Sequence, residues 1–151
     1  MEGCIVIDGD PVYFMPAFPP AAVVPQPGTI KAGATSKNAG DSFLVQGKRP
    51  CLEGDEKSVE VPGCAYFTPQ YSIPGTGTLK IDRLGPDQIA YNTRVGGKCV
   101  LVAGLFFRAR FEVQNPAKQP PPGPGAPIPD ATPVYFGQGR IITANTTKKT
   151  A

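Results

Sequence analysis

The four cysteines are the residues with the most distinctive chemistry in this 151-residue chain. Cys4, Cys51, Cys64 and Cys99 are far apart and include no Cys-x-x-Cys pair. Three roles stay open: inert buried thiols, ligands of a structural zinc or iron ion, and disulfides, which need an oxidising compartment. Cys51 and Cys64 each lie beside a proline or a Pro-Gly turn, where thiolates from different turns can converge, and this favours the metal hypothesis.

The absence of histidine excludes much enzyme chemistry. Without histidine there is no Ser-His-Asp or Cys-His nucleophile pair, no His-ligated zinc and no usual general base near neutral pH. The acidic run Glu53, Asp55 and Glu56 is typical of a solvated turn. Asp8-Gly9-Asp10 lacks the later positions of a calcium loop and is typical of a plain turn. We therefore expect that the protein is not an enzyme.

The composition indicates an all-β fold. The chain has 19 prolines and 18 glycines, about twice the average frequency, which leaves few places for helices. Hydrophobic residues at 40% and charged residues at 18% exclude a disordered tail. We expect a small compact cone or prism of short strands and tight turns. The net charge of +3 is spread along the chain, so no nucleic-acid partner is expected.

Alternating apolar and polar residues predict the strands. The pattern is clearest at Thr78–Asp82 and at Leu105–Val113, where Phe107, Ala109 and Phe111 share one face with Val113. Gly75–Thr78 is predicted to be a hairpin turn. Shorter strands are expected at residues 4–7, 43–45, 59–61, 89–91 and 99–102. Turn signals recur about every eight to twelve residues, as in an all-β sandwich, barrel or prism.

Two segments are rich in proline. Residues 11–40 are predicted to form an extended strap over the core. Residues 116–133 are predicted to form a polyproline-type linker of up to about 3.1 Å per residue. The β domain would span residues 1–115. Residues 134–151 would form a proline-separated extension with a strand at 134–136, a Gly-Gln-Gly turn, the segment 140–143 after that turn, and a frayed tail. That strand would join its own sheet or another subunit's.

The segment from Phe43 to Asp55 resembles a known repeating unit. It consists of a strand, a tight turn, a short edge strand with proline, and a Gly-Asp turn. This resembles PAAR and PAAR-like proteins, whose motif positions are matched by Gly47-Lys48, Pro50 and Gly54-Asp55. A looser echo occurs at Val95–Cys99. The resemblance covers roughly residues 28–115.

The resemblance implies a structural role. PAAR-like proteins are small β-rich cones that cap the trimeric spike of contractile injection machines, namely type VI secretion systems, phage tails and related particles, and help to pierce the target envelope. Their apex is commonly stiffened by a metal held mostly by histidines with a cysteine. Because this chain lacks histidine, its four cysteines would replace that site, or no metal would be bound.

The implied partner is a trimeric spike protein, either VgrG-like or a phage-type spike or hub, with effector cargo as a further possibility. Leu105, Phe106 and Phe107 are candidate aromatic and aliphatic docking anchors, and the alternative is that they belong to the protein's own core. Contact with the target membrane would be mechanical only.

The chain start, Met1-Glu2-Gly3-Cys4, has no basic region, and the apolar run after it is too short for a signal peptide. We expect synthesis in the cytoplasm, assembly at the tip of the apparatus, and delivery outside or into the target cell. The alternative function is a small β-rich binding module or effector adaptor, whose proline-rich segment would recruit an aromatic-lined partner domain.

Overall fold

The computed structural model describes residues 4–38, 44–45, 47–143 and 145. Strands account for 51% and helices for 7%. The principal sheet curls into a half-barrel. The predicted compact all-β fold is confirmed. None of the helices in the described part of the chain has the length and apolar character of a membrane span.

Twelve strands and three short helical segments make up the described fold. In chain order the strands are β1 (Pro11–Phe14), β2 (Ala17–Phe18), β3 (Ala21–Val23), β4 (Gly28–Thr29), β5 (Glu60–Phe67), β6 (Gly75–Arg83), β7 (Ile89–Val95), β8 (Lys98–Leu101), β9 (Phe107–Asn115), β10 (Lys118–Gln119), β11 (Ile128–Pro129) and β12 (Val134–Ile141). Helix α1 spans Ala34–Lys37, and 3₁₀ turns span Asp55–Ser58 and Pro86–Gln88.

The half-barrel contains eight of these strands in the order β2-β3-β5-β6-β9-β12-β1-β4. The pairings of β9 with its neighbours β6 and β12 are antiparallel. The curl brings β2 close to β12, which is not its neighbour in the sheet order. Two small hairpins, β7-β8 and β10-β11, form separate sheets.

The concave face of the half-barrel holds the main core. Its aromatic centre consists of Phe18, Tyr66 and Phe111 with Phe14 and Phe107. The rings of Tyr66 and Phe111 lie 5.1 Å apart between centroids, within the range of favourable aromatic pairs. A second cluster lies beside the β7-β8 hairpin and contains Ile5, Ile7, Val45, Leu52, Val95, Val100 and Val102.

Residues 11–40, which are predicted to form an extended strap over the core, instead contribute strands to the sheet. Their first part, Pro11–Phe14, is β1 and pairs with β12 and β4 inside the half-barrel. The side chains of Val12 and Phe14 point into the core. The segment can contribute strands because Pro11 is the first residue of β1 and the other prolines lie between strands, where no ladder donor is needed.

The predicted Gly-Gln-Gly turn is not a turn, because Gly137 and Gly139 lie within the continuous strand β12. A side chain at Gly137 would come within 2.7 Å of the Ala17 carbonyl oxygen, and one at Gly139 would overlap the Phe107 ring. These glycines therefore allow neighbouring segments to approach closely. Gly75 and Gly77 do the same within β6, so the hairpin turn predicted at Gly75–Thr78 is wrong.

Residues 116–133 fold back on themselves. Strands β10 and β11 pair Lys118 with Pro129 and Gln119 with Ile128, so the two ends of the intervening loop are adjacent. The segment is a hairpin rather than the extended spacer that its prolines predict. Because it returns the chain to the half-barrel, β12 pairs with β9 and β1 of its own sheet.

Candidate functional site

All four cysteines are buried and none forms a disulfide. Cys51 and Cys64 belong to the main core cluster. The Cys64 thiol donates a long hydrogen bond of 3.6 Å to the Val61 carbonyl oxygen. Among the described residues, no three Cys, Asp or Glu side chains converge as metal ligands do. No three of the four cysteines, all of which the structure describes, therefore lie together as a set of ligands.

The environment of Cys51 disfavours a thiolate. Burial raises the pKa of this thiol strongly, and the carboxylates of Asp55, Asp10 and Asp8 raise it further. A thiol that binds a metal must lose its proton, and in the metal-free protein these surroundings oppose that loss. A zinc or iron ion held by the cysteines stays a prediction, which elemental analysis of protein purified without chelators would test.

The residues that resemble the PAAR-like motif form turns. Gly47 adopts a φ of 76° and Gly54 a φ of 99°, values that favour glycine. Pro50 pairs with Ile7 in an isolated bridge. The Asp55 carboxylate accepts a hydrogen bond of 2.8 Å from the Leu52 backbone N–H. Phe43, at the start of the predicted strand, lies outside the described residues.

The three predicted docking residues separate into two groups. Phe107 is only 1% exposed and packs edge-on against Phe14, with 5.5 Å between ring centroids. It is therefore a core residue and is not available to a partner, because β9 begins at Phe107 and directs its side chain inward. Leu105 and Phe106 precede the strand and are 56% and 42% exposed.

A hydrogen bond fixes the turn that presents Leu105 and Phe106. The Leu105 backbone N–H donates to the Asp87 carboxylate at 2.9 Å. Gly104, immediately before it, has a φ of 56°, and Gly85 lies against the Phe106 carbonyl oxygen. The two exposed side chains therefore project from a defined backbone.

The convex face of the half-barrel carries a chain of ion pairs. Lys80 contacts Glu60 at 3.4 Å and Glu112 at 3.0 Å. Arg110 contacts Asp82 at 3.4 Å and Glu112 at 3.1 Å. The hydrogen bond to Glu112 is the main reason that the pKa of Lys80 is raised. Because these residues lie on β5, β6 and β9, the network links three adjacent strands.

A buried carboxylate holds the β10-β11 hairpin to the half-barrel. Asp130 Oδ2 accepts hydrogen bonds from the hydroxyls of Tyr66 at 2.9 Å and Tyr135 at 2.6 Å. Asp130 Oδ1 accepts one of 2.9 Å from the Thr132 N–H. The Tyr66 oxygen in turn accepts one of 2.8 Å from the Ala117 N–H. Both arms of the hairpin are thus attached to the same site.

The pKa values of this network reflect its burial and hydrogen bonds. Burial alone would raise the pKa of Asp130, yet hydrogen bonds from Tyr135, Thr132 and Tyr66 outweigh it and lower that pKa below its usual value. Burial raises the pKa of Tyr66 to about 12. At neutral pH the network is therefore an ionised carboxylate held by two neutral phenols.

The comparison with protein families decides the identity of this β fold. A family model described as contractile injection system spike tip protein matches residues 1–151. The chain belongs to this spike tip family. A search of curated proteins found no significant match. The PAAR-like resemblance is confirmed at the level of the family. Membership implies assembly at the tip of an injection apparatus, in association with a spike or hub protein.

Strand β9 runs between two opposite ends of the spike tip protein. Leu105 and Phe106 precede its first residue, and the β10-β11 hairpin follows its last. A strand of nine residues places these features about 26 Å apart. Exposed Ile142, just after β12, lies at the Leu105 end because β12 is antiparallel to β9.

Sequence reasoning missed the Asp130 network of the spike tip protein. Tyr66 and Asp130 are 64 residues apart in the chain, and no local pattern connects them. A weak signal existed, because Asp130 is the only acidic residue in the sequence after Glu112. It also missed the convex ion pairs, although the alternation of Arg108, Arg110 and Glu112 indicated an exposed charged face.

Proposed function

We propose that this spike tip protein caps a trimeric spike and helps to drive it through the target envelope, as a structural part that performs no reaction. The observation that supports this most directly, beside the family match, is the exposed pair Leu105 and Phe106 on a fixed turn. A few well-packed side chains carry most of the binding energy of a protein interface, and this exposed pair is placed to supply two of them.

The rest of the body suits a part that bears a mechanical load. The convex ion pairs of Lys80 and Arg110 join three strands. Gly75 and Gly137 allow backbone segments to pack directly against one another. Proline reduces the freedom of the unfolded chain and so favours the folded state. These features support a rigid cap.

The proposed docking is tested by the affinity of the folded protein for its trimeric spike. We expect Leu105→Ser and Phe106→Ser each to weaken binding by about 30-fold, which corresponds to about 2 kcal/mol for an interface anchor. Tyr91→Ser is the matched control, because Tyr91 is 60% exposed on the separate β7-β8 hairpin. Calorimetry would measure all four proteins.

Equal affinities for wild type, Leu105→Ser and Phe106→Ser would contradict docking through this turn. If the wild type itself failed to bind any spike trimer, the capping role would be wrong. The alternative of a binding module that presents an extended polyproline helix receives no support from the geometry, since Gln119 and Ile128 are paired and the loop between them doubles back.

A further inference from the structure

We propose that the loop of residues 120–127, at the end of the β10-β11 hairpin, is the leading point of the protein and that lipid of the target envelope is the partner it meets first. This inference rests on the proposed capping function and extends it, because it assigns which end faces away from the spike.

The chemistry of the loop suits entry into an apolar phase. Five of its eight residues are proline, and the others are Gly123, Gly125 and Ala126. Only these three have a backbone N–H, whereas an ordinary loop of this length has eight. No ionisable side chain occurs from Gln119 to Pro129. Charged side chains and unpaired backbone N–H and C=O groups are costly to place in lipid, and this loop has no charged side chain and only three N–H groups.

The exposure of the loop shows that this composition does not serve the core. Residues 122–129 are all exposed. Singly exposed prolines are ordinary, whereas a contiguous exposed run without polar side chains is the kind of apolar surface that marks protein or membrane contacts. Its uncharged surface therefore calls for an explanation outside the fold, and contact with lipid supplies one.

The stem of the hairpin is firmly attached, as a leading point requires. Lys118 and Ile73 exchange two backbone hydrogen bonds of 2.9 Å. Ala117 is fully buried, and its N–H donates to Tyr66. On the other arm, the Asp130 N–H donates to the Ala117 carbonyl oxygen at 2.8 Å. Gly75 allows residues 115–117 to lie directly on β6.

The position of the loop separates it from the docking turn. The hairpin follows the end of β9, whereas Leu105 and Phe106 precede its start, about 26 Å away. If that turn faces the spike, the hairpin faces outward. Two paired strands lie only about 5 Å apart, so the projecting end is narrow. Exposed Phe67 and Ile73 lie near its stem. Because exposed apolar side chains also suit docking, the competing arrangement is one in which this end binds the spike.

The orientation can be tested by labelling the complex of spike and tip protein. A short epitope is inserted between Gly123 and Pro124, and a bound antibody fragment is located by negative-stain microscopy. The control insertion lies between Gly96 and Gly97, the exposed turn of the β7-β8 hairpin. We expect the first label on the spike axis at the extreme end of the complex, and the second off the axis or nearer the spike.

A label at the junction with the spike would overturn the proposal. So would loss of spike binding in the Gly123 insertion variant if its thermal unfolding matched that of the control. Neither result would affect the capping function, which the untagged protein tests by itself. If the untagged protein did not bind the spike, both proposals would be wrong.

The lipid partner is tested by the force needed to penetrate a bilayer. The complex of spike and tip protein is attached to a cantilever and pressed onto a supported phosphatidylcholine bilayer. Pro122→Asp combined with Pro124→Asp is expected to raise the breakthrough force clearly above that of wild type. Gln138→Asp, which adds charge on the exposed face of β12, should leave it unchanged. An unchanged force in the double variant would overturn the lipid assignment.

Discussion

At the scale of single residues, Asp130 is a buried carboxylate that connects separate parts of the fold. It is 5% exposed and accepts hydrogen bonds from two tyrosine hydroxyls and one backbone N–H. A buried carboxylate of this kind is stabilising only when its partners are present, because an unpaired buried charge is costly. Here the partners come from β5, from β12 and from the segment between β11 and β12.

We expect Asp130→Asn to lower the free energy of unfolding by about 2–3 kcal/mol at pH 7, since hydrogen bonds to a charged group contribute about 1.5–3 kcal/mol each and the amide keeps part of them. Urea denaturation measures the change. Asp87→Asn is the control and should have a smaller effect, because Asp87 is exposed and makes one described hydrogen bond, to Leu105.

The pH dependence of this difference has a defined sign. The pKa of Asp130 is lower in the folded protein than its usual value, so its stabilisation is complete above the unfolded-state pKa of about 4. That stabilisation is lost as the pH falls through the folded-state pKa. The gap between wild type and Asp130→Asn should therefore shrink below pH 4. A gap that is constant from pH 7 to pH 3 would contradict the ionised network.

At the scale of elements, glycine rather than side-chain volume determines how closely the strands pack. An added side chain at Gly75 would overlap the backbone of Asn115 and Ala117, where the hairpin leaves β9. At Gly123, in the hairpin loop, an added methyl group meets nothing within 4 Å. The two positions therefore form a matched pair for the same substitution.

We expect Gly75→Ala to destabilise the protein by about 1–3 kcal/mol, the usual cost of forcing extra volume into a packed site. Gly123→Ala should be neutral or slightly stabilising, because alanine has less freedom in the unfolded chain. Thermal unfolding compares them. Equal melting temperatures for the two variants would show that the close approach at Gly75 is not needed.

The elements that the sequence predicts well are those with strict alternation. β6 and β9 contain the runs Thr78–Asp82 and 107–113, because one face of each strand is buried and the other carries charges. The errors occur at proline and glycine. Pro11 begins a strand, and Gly137 lies inside one. Both residue types can end a strand. In other surroundings proline can begin a strand, and glycine can lie inside one where a neighbouring segment comes close. Only the tertiary neighbours decide which of these occurs.

The candidate site follows the same rule. Phe107 is buried and Leu105 and Phe106 are exposed because β9 begins at Phe107. The sequence around them is a continuous apolar run, which does not show where the strand begins. The shared chemistry of the cysteines suggests a common metal site. Where each thiol is buried, however, is decided by strands from distant parts of the chain. The proline content of residues 116–133 predicts a stiff spacer, whereas the structure has a hairpin. Composition indicates local stiffness but carries no information on whether the two ends of the segment pair.

At the scale of the whole molecule, the fold has two dissimilar ends. One presents Leu105 and Phe106 on a fixed turn, and the other presents an uncharged proline hairpin attached through Asp130. A half-barrel with ion pairs across its convex face connects them. This polarity agrees with membership of the spike tip family and suits a part that binds at one end and advances at the other.

The capping of a trimeric spike is tested most directly by native mass spectrometry of the spike and the tip protein expressed together. We expect a complex of three spike chains with one copy of this 15.9 kDa chain, and Phe106→Ser should reduce that species in favour of free trimer. Three tip copies per trimer, or spike trimers without any tip protein, would contradict it.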